Sequence, residues 1–201
     1  MFHKLNTQAA LYPAAYTRTI ATGQLGDANG VKLSFATPIV ATTYSAATLD
    51  GALAAPGPAA LAVAVPFRVT VSTNASVGTY NTTDPIVVTG TDEDGAALVE
   101  SIYLTAANGN ETVSTTAGFL TVISVAFPAQ VDALGLITIG SGDAWMQRVS
   151  RLVRAGSIGN IVAMYDDGTT DTLPSQLAEK HDAFLTGLSS TSTAWPITLY
   201  F

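Results

Sequence analysis

The chain has 201 residues, no cysteine, and a formal net charge of −7 from 15 acidic and 8 basic residues. This composition excludes disulfides, thiolate nucleophiles and cysteine-ligated metal centres, and the acidic balance argues against generic attraction to nucleic-acid phosphates. Charged residues reach only 11% while hydrophobic residues reach 48%, against about 25% charged in typical soluble domains, so the surface is built from Thr, Ser, Asn, Gly and Ala or is hidden against other subunits, whose interfaces are depleted of charge at their centres.

Residues 1–20 lack strand periodicity and read as an arm, whose Leu11, Tyr12, Tyr16 and Ile20 have no evident core to enter. No apolar stretch follows Met1–Asn6, so no secretory leader is read there. Thr22 to Gly30 has loop composition, and Val31 to Phe35 then alternates apolar and polar as a half-buried strand does. Ala41 to Gly57 is rich in small residues and reads as irregular, with a turn at Leu49-Asp50-Gly51. The longest apolar stretch, Ala52 to Phe67, is broken by Pro56, Pro58 and Pro66, so no membrane-spanning segment is expected.

Strands are predicted at Phe67–Ser72 and Ile86–Thr89, with a turn cluster at Asn81–Pro85 between them. Asp92-Glu93-Asp94-Gly95 reads as a tight hairpin leading into a strand over Leu98–Thr105. After the turn at Asn108-Gly109-Asn110 come Thr112–Thr115 and Phe119–Phe127, the latter with Phe119, Thr121, Ile123, Val125 and Phe127 on one core-facing side. Leu136–Ile139 follows, and Gly140-Ser141-Gly142-Asp143 reads as a domain boundary. Beyond it lie Arg151–Val153, Asn160–Tyr165, the hairpin Asp166-Asp167-Gly168, Thr169–Leu173 and a closing strand over Trp195–Phe201. Ser175 to Leu185 stays open between a short helix, on the spacing of Leu177, Ala178, His181 and Leu185, and a loop feeding a strand at Ala183–Leu185. Strands spaced by about ten residues predict an all-β fold, an antiparallel β-sandwich of Ig-like or jelly-roll-like type. The expected organisation is an arm at 1–20, a sandwich at 21–142 and a small β domain at 143–201.

No catalytic, cofactor or metal site is read. The cluster Asp92–Asp94 with Glu100 places its glycine at position four, where a calcium loop needs it at six, and Asp166, Asp167 and Asp171 read as another solvated turn. His3 and His181 are the two histidines, and no G-x-S-x-G elbow, P-loop, G-x-G-x-x-G or H-E-x-x-H occurs. Three arginines fall close together at Arg148, Arg151 and Arg154; in an extended backbone the first and last share a face.

The run Val88-Thr89-Gly90-Thr91-Asp92-Glu93-Asp94-Gly95, continued by Gly118-Phe119 through Ser124-Val125 to Pro128-Ala129-Gln130, resembles virion structural proteins of tailed bacteriophages. Arg154–Val162, Asp167-Gly168 and Ser192-Thr193-Ala194 with Ile197–Tyr200 resemble the small β spike-base proteins of phage heads and gene transfer agents. The resemblance implies a non-enzymatic virion protein without cofactor, decorating the capsid or forming a head spike base, and assembling with itself and with virion proteins such as the major capsid protein. Neither nucleic acid nor membrane is an expected partner. On that reading Leu11, Tyr12 and Tyr16 of the arm and Arg148, Arg151 and Arg154 at the domain junction are the expected interface residues. The alternative is a carbohydrate-binding or adhesin module using turn aspartates with Trp145 or Trp195.

Overall fold

The computed structural model describes residues 17–20, 24–45, 47–51, 65–74, 78–165 and 167–200, without the side chains of Thr17, 147–152 and 182–184. Leu11, Tyr12, Tyr16 and Phe201 lie outside the described residues, as do the side chains of Arg148 and Arg151. Thirteen strands carry the chain: β1 (Thr17–Ile20), β2 (Lys32–Ala36), β3 (Thr42–Ser45), β4 (Phe67–Asn74), β5 (Ile86–Thr91), β6 (Ala97–Ile102), β7 (Glu111–Ser114), β8 (Thr121–Phe127), β9 (Leu136–Ala155), β10 (Gly159–Met164), β11 (Thr170–Ser175), β12 (Lys180–Leu188) and β13 (Ile197–Tyr200). No helix occurs among the described residues. The strands fall into two units, one of Gly23–Met146 and one of Gln147–Phe201 with the N-terminal residues up to Thr22.

The larger unit grows from one hairpin. The Asp92 N–H donates to the Ala96 carbonyl and the Gly95 N–H to the Asp92 carbonyl. Gly95 sits at φ +82°, a left-handed conformation that costs glycine little. From this tip the two arms zip antiparallel, β5 with β6, β4 with β7, β3 with β8 and β2 with β9. The long hairpin then folds across itself, adding the pairs β5·β8 and β4·β9. Two four-stranded sheets result, β2-β9-β4-β7 and β3-β8-β5-β6. Of the two expected sandwich types, this strand order is that of the jelly roll.

The core follows from the two-residue period. Val69 and Val71 of β4, Ile137 and Ile139 of β9, Val88 of β5 and Val122 and Val125 of β8 have no exposed surface. Each such side chain, removed from water, contributes about 1.5–3 kcal/mol before the entropy of ordering the chain is counted. At one edge Phe35 of β2 meets Tyr44 of β3 and Phe127 of β8, with ring centroids 4.6 and 5.6 Å apart.

Ala41–Gly57 is not wholly irregular, because Thr42–Ser45 pairs with Ser124–Phe127 as β3. Ile123 does not share the core face with Phe119, Val125 and Phe127; it is exposed, while Val122 is buried. The reason is a bulge: Thr89 pairs with Ser124 but Gly90 with Val122, so Ile123 is the extra residue and the alternation flips around it. β9 runs through Gly140–Asp143 without a break, and the division into two units falls a little further along the same strand, between Met146 and Gln147. A Cβ on Gly140 would lie 2.2 Å from the Asp27 carbonyl oxygen, so glycine there admits the 24–31 loop rather than breaking the strand. Lys32, read as the polar side of its strand, is buried instead: Nζ donates to the Thr48 carbonyl at 2.8 Å and to Asp50 Oδ1 at 3.3 Å. The same ammonium lies 5.4 and 5.0 Å from the ring centroids of Phe35 and Tyr44, within cation–π range.

The smaller unit is a sheet in the order β1-β13-β9-β12-β10-β11, using the Gln147–Ala155 part of β9. Ile197 and Leu199 of β13 are buried beside Val153 and Ala155 of β9. The expected arm is shorter than residues 1–20: Thr17–Ile20 pairs with Ile197–Tyr200, and Ile20, set opposite Ile197, is fully buried. The stretch Ser175 to Leu185 resolves into a turn and the start of β12. Ala178 adopts φ +61° and Glu179 N–H closes on the Gln176 carbonyl, so no helix passes and Leu177 points into solvent. Because Ile20 is a core residue here, Ile20→Ala is expected to lower the free energy of unfolding by about 2–5 kcal/mol. Urea denaturation followed by circular dichroism checks this; an unchanged midpoint would return Ile20 to the arm.

Candidate functional site

His181 stands at the start of β12. Its Nε2 lies 2.8 Å from the hydroxyl of Ser175, at the end of β11. Ser175 Oγ also donates to the Leu173 carbonyl at 3.0 Å. A hydroxyl has one proton, so with that proton on Leu173 the imidazole donates its own N–H to the serine, the reverse of general-base activation. Ser175 is also buried, out of reach of a substrate. Among the described side chains no carboxylate hydrogen-bonds the imidazole. The pair is a structural clasp across the β11–β12 turn.

The acidic side chains have a common local task. Asp92 Oδ1 accepts the N–H groups of Asp94 and Ala96 at 2.9 Å each. Asp132 accepts from Thr79 and Leu134, Asp50 from Leu33, and Asp167 from Thr169. Glu100, on the edge strand β6, accepts the N–H groups of Thr116 and Ala117, and Glu111 those of Thr105 and Ala106. These carboxylates hold turns and strand ends whose N–H groups have no ladder partner. Among the described residues no group of three or more His, Asp or Glu side chains stands together to hold a metal ion.

Glu111 lines a shallow depression of about 290 Å³ together with Thr73, Asn74, Asn110 and Thr112. None of the described residues that line it is aromatic, so none of them offers a sugar a stacking platform. Trp145, one of two candidate platforms, carries the Arg68 guanidinium 4.3 Å from its ring centroid. That guanidinium is itself held by the Thr116 carbonyl through Nε, at 3.2 Å, so one face of the indole is already covered.

The outward face of the β3-β8-β5-β6 sheet is the most unusual surface. Cross-strand partners point the same way, so the register sets out rows running Val99-Thr89-Ser124-Ser45 and Ser101-Val87-Ala126-Thr43, with Ala97-Thr91-Thr121 beside them. Ile123 stands out from the bulge, and Val99 is 61% exposed. None of these residues is charged, and none is Asn or Gln. The acidic residues Asp92, Glu93 and Asp94 sit at the hairpin tip, off the face. Of the expected junction arginines, Arg154 is exposed on β9 opposite Thr198. The structure neither brings the six expected interface residues together nor separates them, because five lie wholly or by their side chains outside the described residues. Sequence reading missed the outward face, although the alternation of Val87, Thr89 and Thr91 with Ile86, Val88 and Gly90 carried its signal.

No protein-family model matches this chain, and no match was found among curated proteins or solved structures.

The pH response of the turns follows from their hydrogen bonds. Burial alone would raise the pKa of Glu111, but hydrogen bonds from the Thr105 hydroxyl and the Ala106 and Thr105 N–H groups outweigh it and hold the carboxyl below its ordinary 4.5. A depressed carboxyl adds stability that is fully present above its unfolded-state value and lost as pH falls through the lower folded-state value. Glu111→Gln is therefore expected to flatten part of the fall in stability below about pH 4.5. Denaturation midpoints measured across that window check the slope; parallel curves for the two proteins would deny Glu111 this role.

Proposed function

We propose that this chain is a non-enzymatic structural subunit of a bacteriophage virion, decorating the capsid or forming the base of a head spike through contacts between subunits. The observation that carries the reading is the charge-free outward face of the β3-β8-β5-β6 sheet. An antiparallel sheet turned to water alternates apolar inside with polar and charged outside, and soluble surfaces mix Lys, Arg, Glu and Asp at high density. A four-stranded face of Thr, Ser, Ala, Val and Ile instead has the charge-depleted composition of an interface centre. The shortage of charge in the whole chain, at 11%, supports the same reading. The jelly-roll order recurs in viral capsid and lectin domains, which is an analogy of fold and not of site. The resemblance of the 88–95 and 154–162 segments to virion proteins supplies the virion setting.

Size decides what kind of contact this is. Strands about 4.8 Å apart rising about 3.4 Å per residue give a face roughly 20 Å on a side. That is about half of the roughly 800 Å² per partner in a standard stable interface. One such contact is weak, and symmetric repetition makes it durable.

Val99→Lys places a charge on the central row of the face, at its β6 edge, without touching the core. It is expected to weaken self-association at least about tenfold, the effect of about 1.4 kcal/mol, and to leave thermal unfolding unchanged. Sedimentation equilibrium of both proteins, with fractionation against phage particles, makes the test. A wild-type chain that stays monomeric at every concentration and never travels with particles would sink the reading; specific glycan binding by that monomer would favour the adhesin alternative.

A further inference from the structure

One end of the jelly roll carries a second unusual surface. Ile39 and Val40 lie between β2 and β3, Val131 and Leu134 between β8 and β9, and all four are 60–68% exposed. Leu136 at the start of β9 adds to them. Apolar patches reaching roughly a few hundred Å² mark interaction sites on soluble proteins.

The two loops are locked together from below. The Thr37 N–H donates to the Gly135 carbonyl, its hydroxyl donates to the Asp132 carbonyl at 2.7 Å, and the Gln130 N–H donates to the Pro38 carbonyl. The Gln130 side chain accepts the Asn81 N–H and donates to the Pro128 carbonyl. Thr37 and Gln130 are buried, and the Tyr80 ring lies directly beneath Gly135. The polar groups of this rim are thus turned inward and satisfied, and the aliphatic side chains are held outward where they cannot fold into the core.

We propose that this rim receives the N-terminal segment, residues 1–16, of a second copy of the chain. The inference rests on the assembly proposed above. Two features of the chain select this occupant. The segment carries Phe2, Leu5, Leu11, Tyr12 and Tyr16 with Lys4 as its one Lys or Arg and no acidic residue. The rim's carboxylate, Asp132, is engaged by the N–H groups of Thr79 and Leu134, so it enters the contact already hydrogen-bonded, and the segment's one Lys approaches an acidic side chain while no carboxylate of the segment opposes it. The segment also leaves a fixed point, since Thr17 is paired with Tyr200 in β1, and sixteen residues extended reach about 55 Å from there. Segment and rim are different surfaces of one chain, so the contact is head-to-tail, and repeated it closes a ring where the rotation allows.

Photo-crosslinking in the full chain tests this. The photoreactive residue p-benzoylphenylalanine replaces Tyr12, chains of natural and ¹⁵N-labelled isotope are mixed before assembly, and crosslinked peptides are mapped by mass spectrometry. Expected are mixed-isotope crosslinks from position 12 to residues 37–41 or 129–136, reduced at least about tenfold by Val131→Asp with Leu134→Asp. Ile39→Asp, on the other loop, gives the same reduction should the double variant fail to fold. An assembled chain whose crosslinks fall elsewhere, or join only peptides of one isotope, overturns the docking and leaves the structural-subunit reading standing. A chain that stays monomeric overturns both.

Discussion

The antiparallel register that starts at the Asp92–Ala96 turn is the constraint on which the rest of the larger unit depends. Once that turn brings β5 against β6, each successive pair of the rolled hairpin has its partner and register set. Side chains in a sheet repeat every two residues, so a one-residue slip would put Thr89 and Val87 into the core and Val88 into water. The Ile123 bulge is tolerated because it falls inside β8, where the two flanking runs each keep their own apolar side inward.

A charge-poor chain has few ions to spare for solubility, and this one ties many of its carboxylates to backbone N–H groups. Asp27, Asp50, Asp92, Glu100, Glu111, Asp132, Asp167 and Glu179 each accept at least one. A carboxylate accepting an N–H stabilises a loop that has no ladder partner, and it remains partly hydrated while doing so. The consequence is that these acidic residues are engaged at turns and strand ends, off the outward face of β3-β8-β5-β6. That distribution is what lets the outward face of β3-β8-β5-β6 be both water-exposed and free of charge. Lys32 is the counterpart in the interior: its ammonium lies among two aromatic rings, a carbonyl and Asp50, and it fastens Thr48 and Asp50 to β2.

The same distribution bears on function. A catalytic centre gathers titratable groups in a concave, partly dry place; the carboxylates named above are each engaged separately, at their own turn or strand end. Ser175 and His181 come within hydrogen-bonding distance, yet the serine proton is directed at Leu173 and the hydroxyl is buried. Two surfaces among the described residues, one broad and hydroxyl-rich and one aliphatic and rimmed by locked loops, are what the structural-subunit reading proposed above rests on.

The fold class was legible because turn chemistry and two-residue alternation are local. Asp92–Gly95 carries its own hairpin signal, and Ile86–Thr91 and Phe67–Asn74 show their buried sides directly in the order of residues. Strand β3 was not legible: Thr42–Ser45 is short, lies between small residues, and is a strand only because Ser124–Phe127 offers a ladder. The Ile123 bulge, the burial of Lys32 and the passage of β9 through Gly140–Gly142 likewise depend on partners more than a dozen residues away. The interface residues expected in the arm and among the arginines came from composition and resemblance. The neutral sheet face and the aliphatic rim arise only when strands distant in sequence stand side by side. Composition by itself determined that this is a charge-poor β protein without thiol chemistry; which surfaces stay bare was decided by long-range pairing, because exposure belongs to neighbours and not to residues.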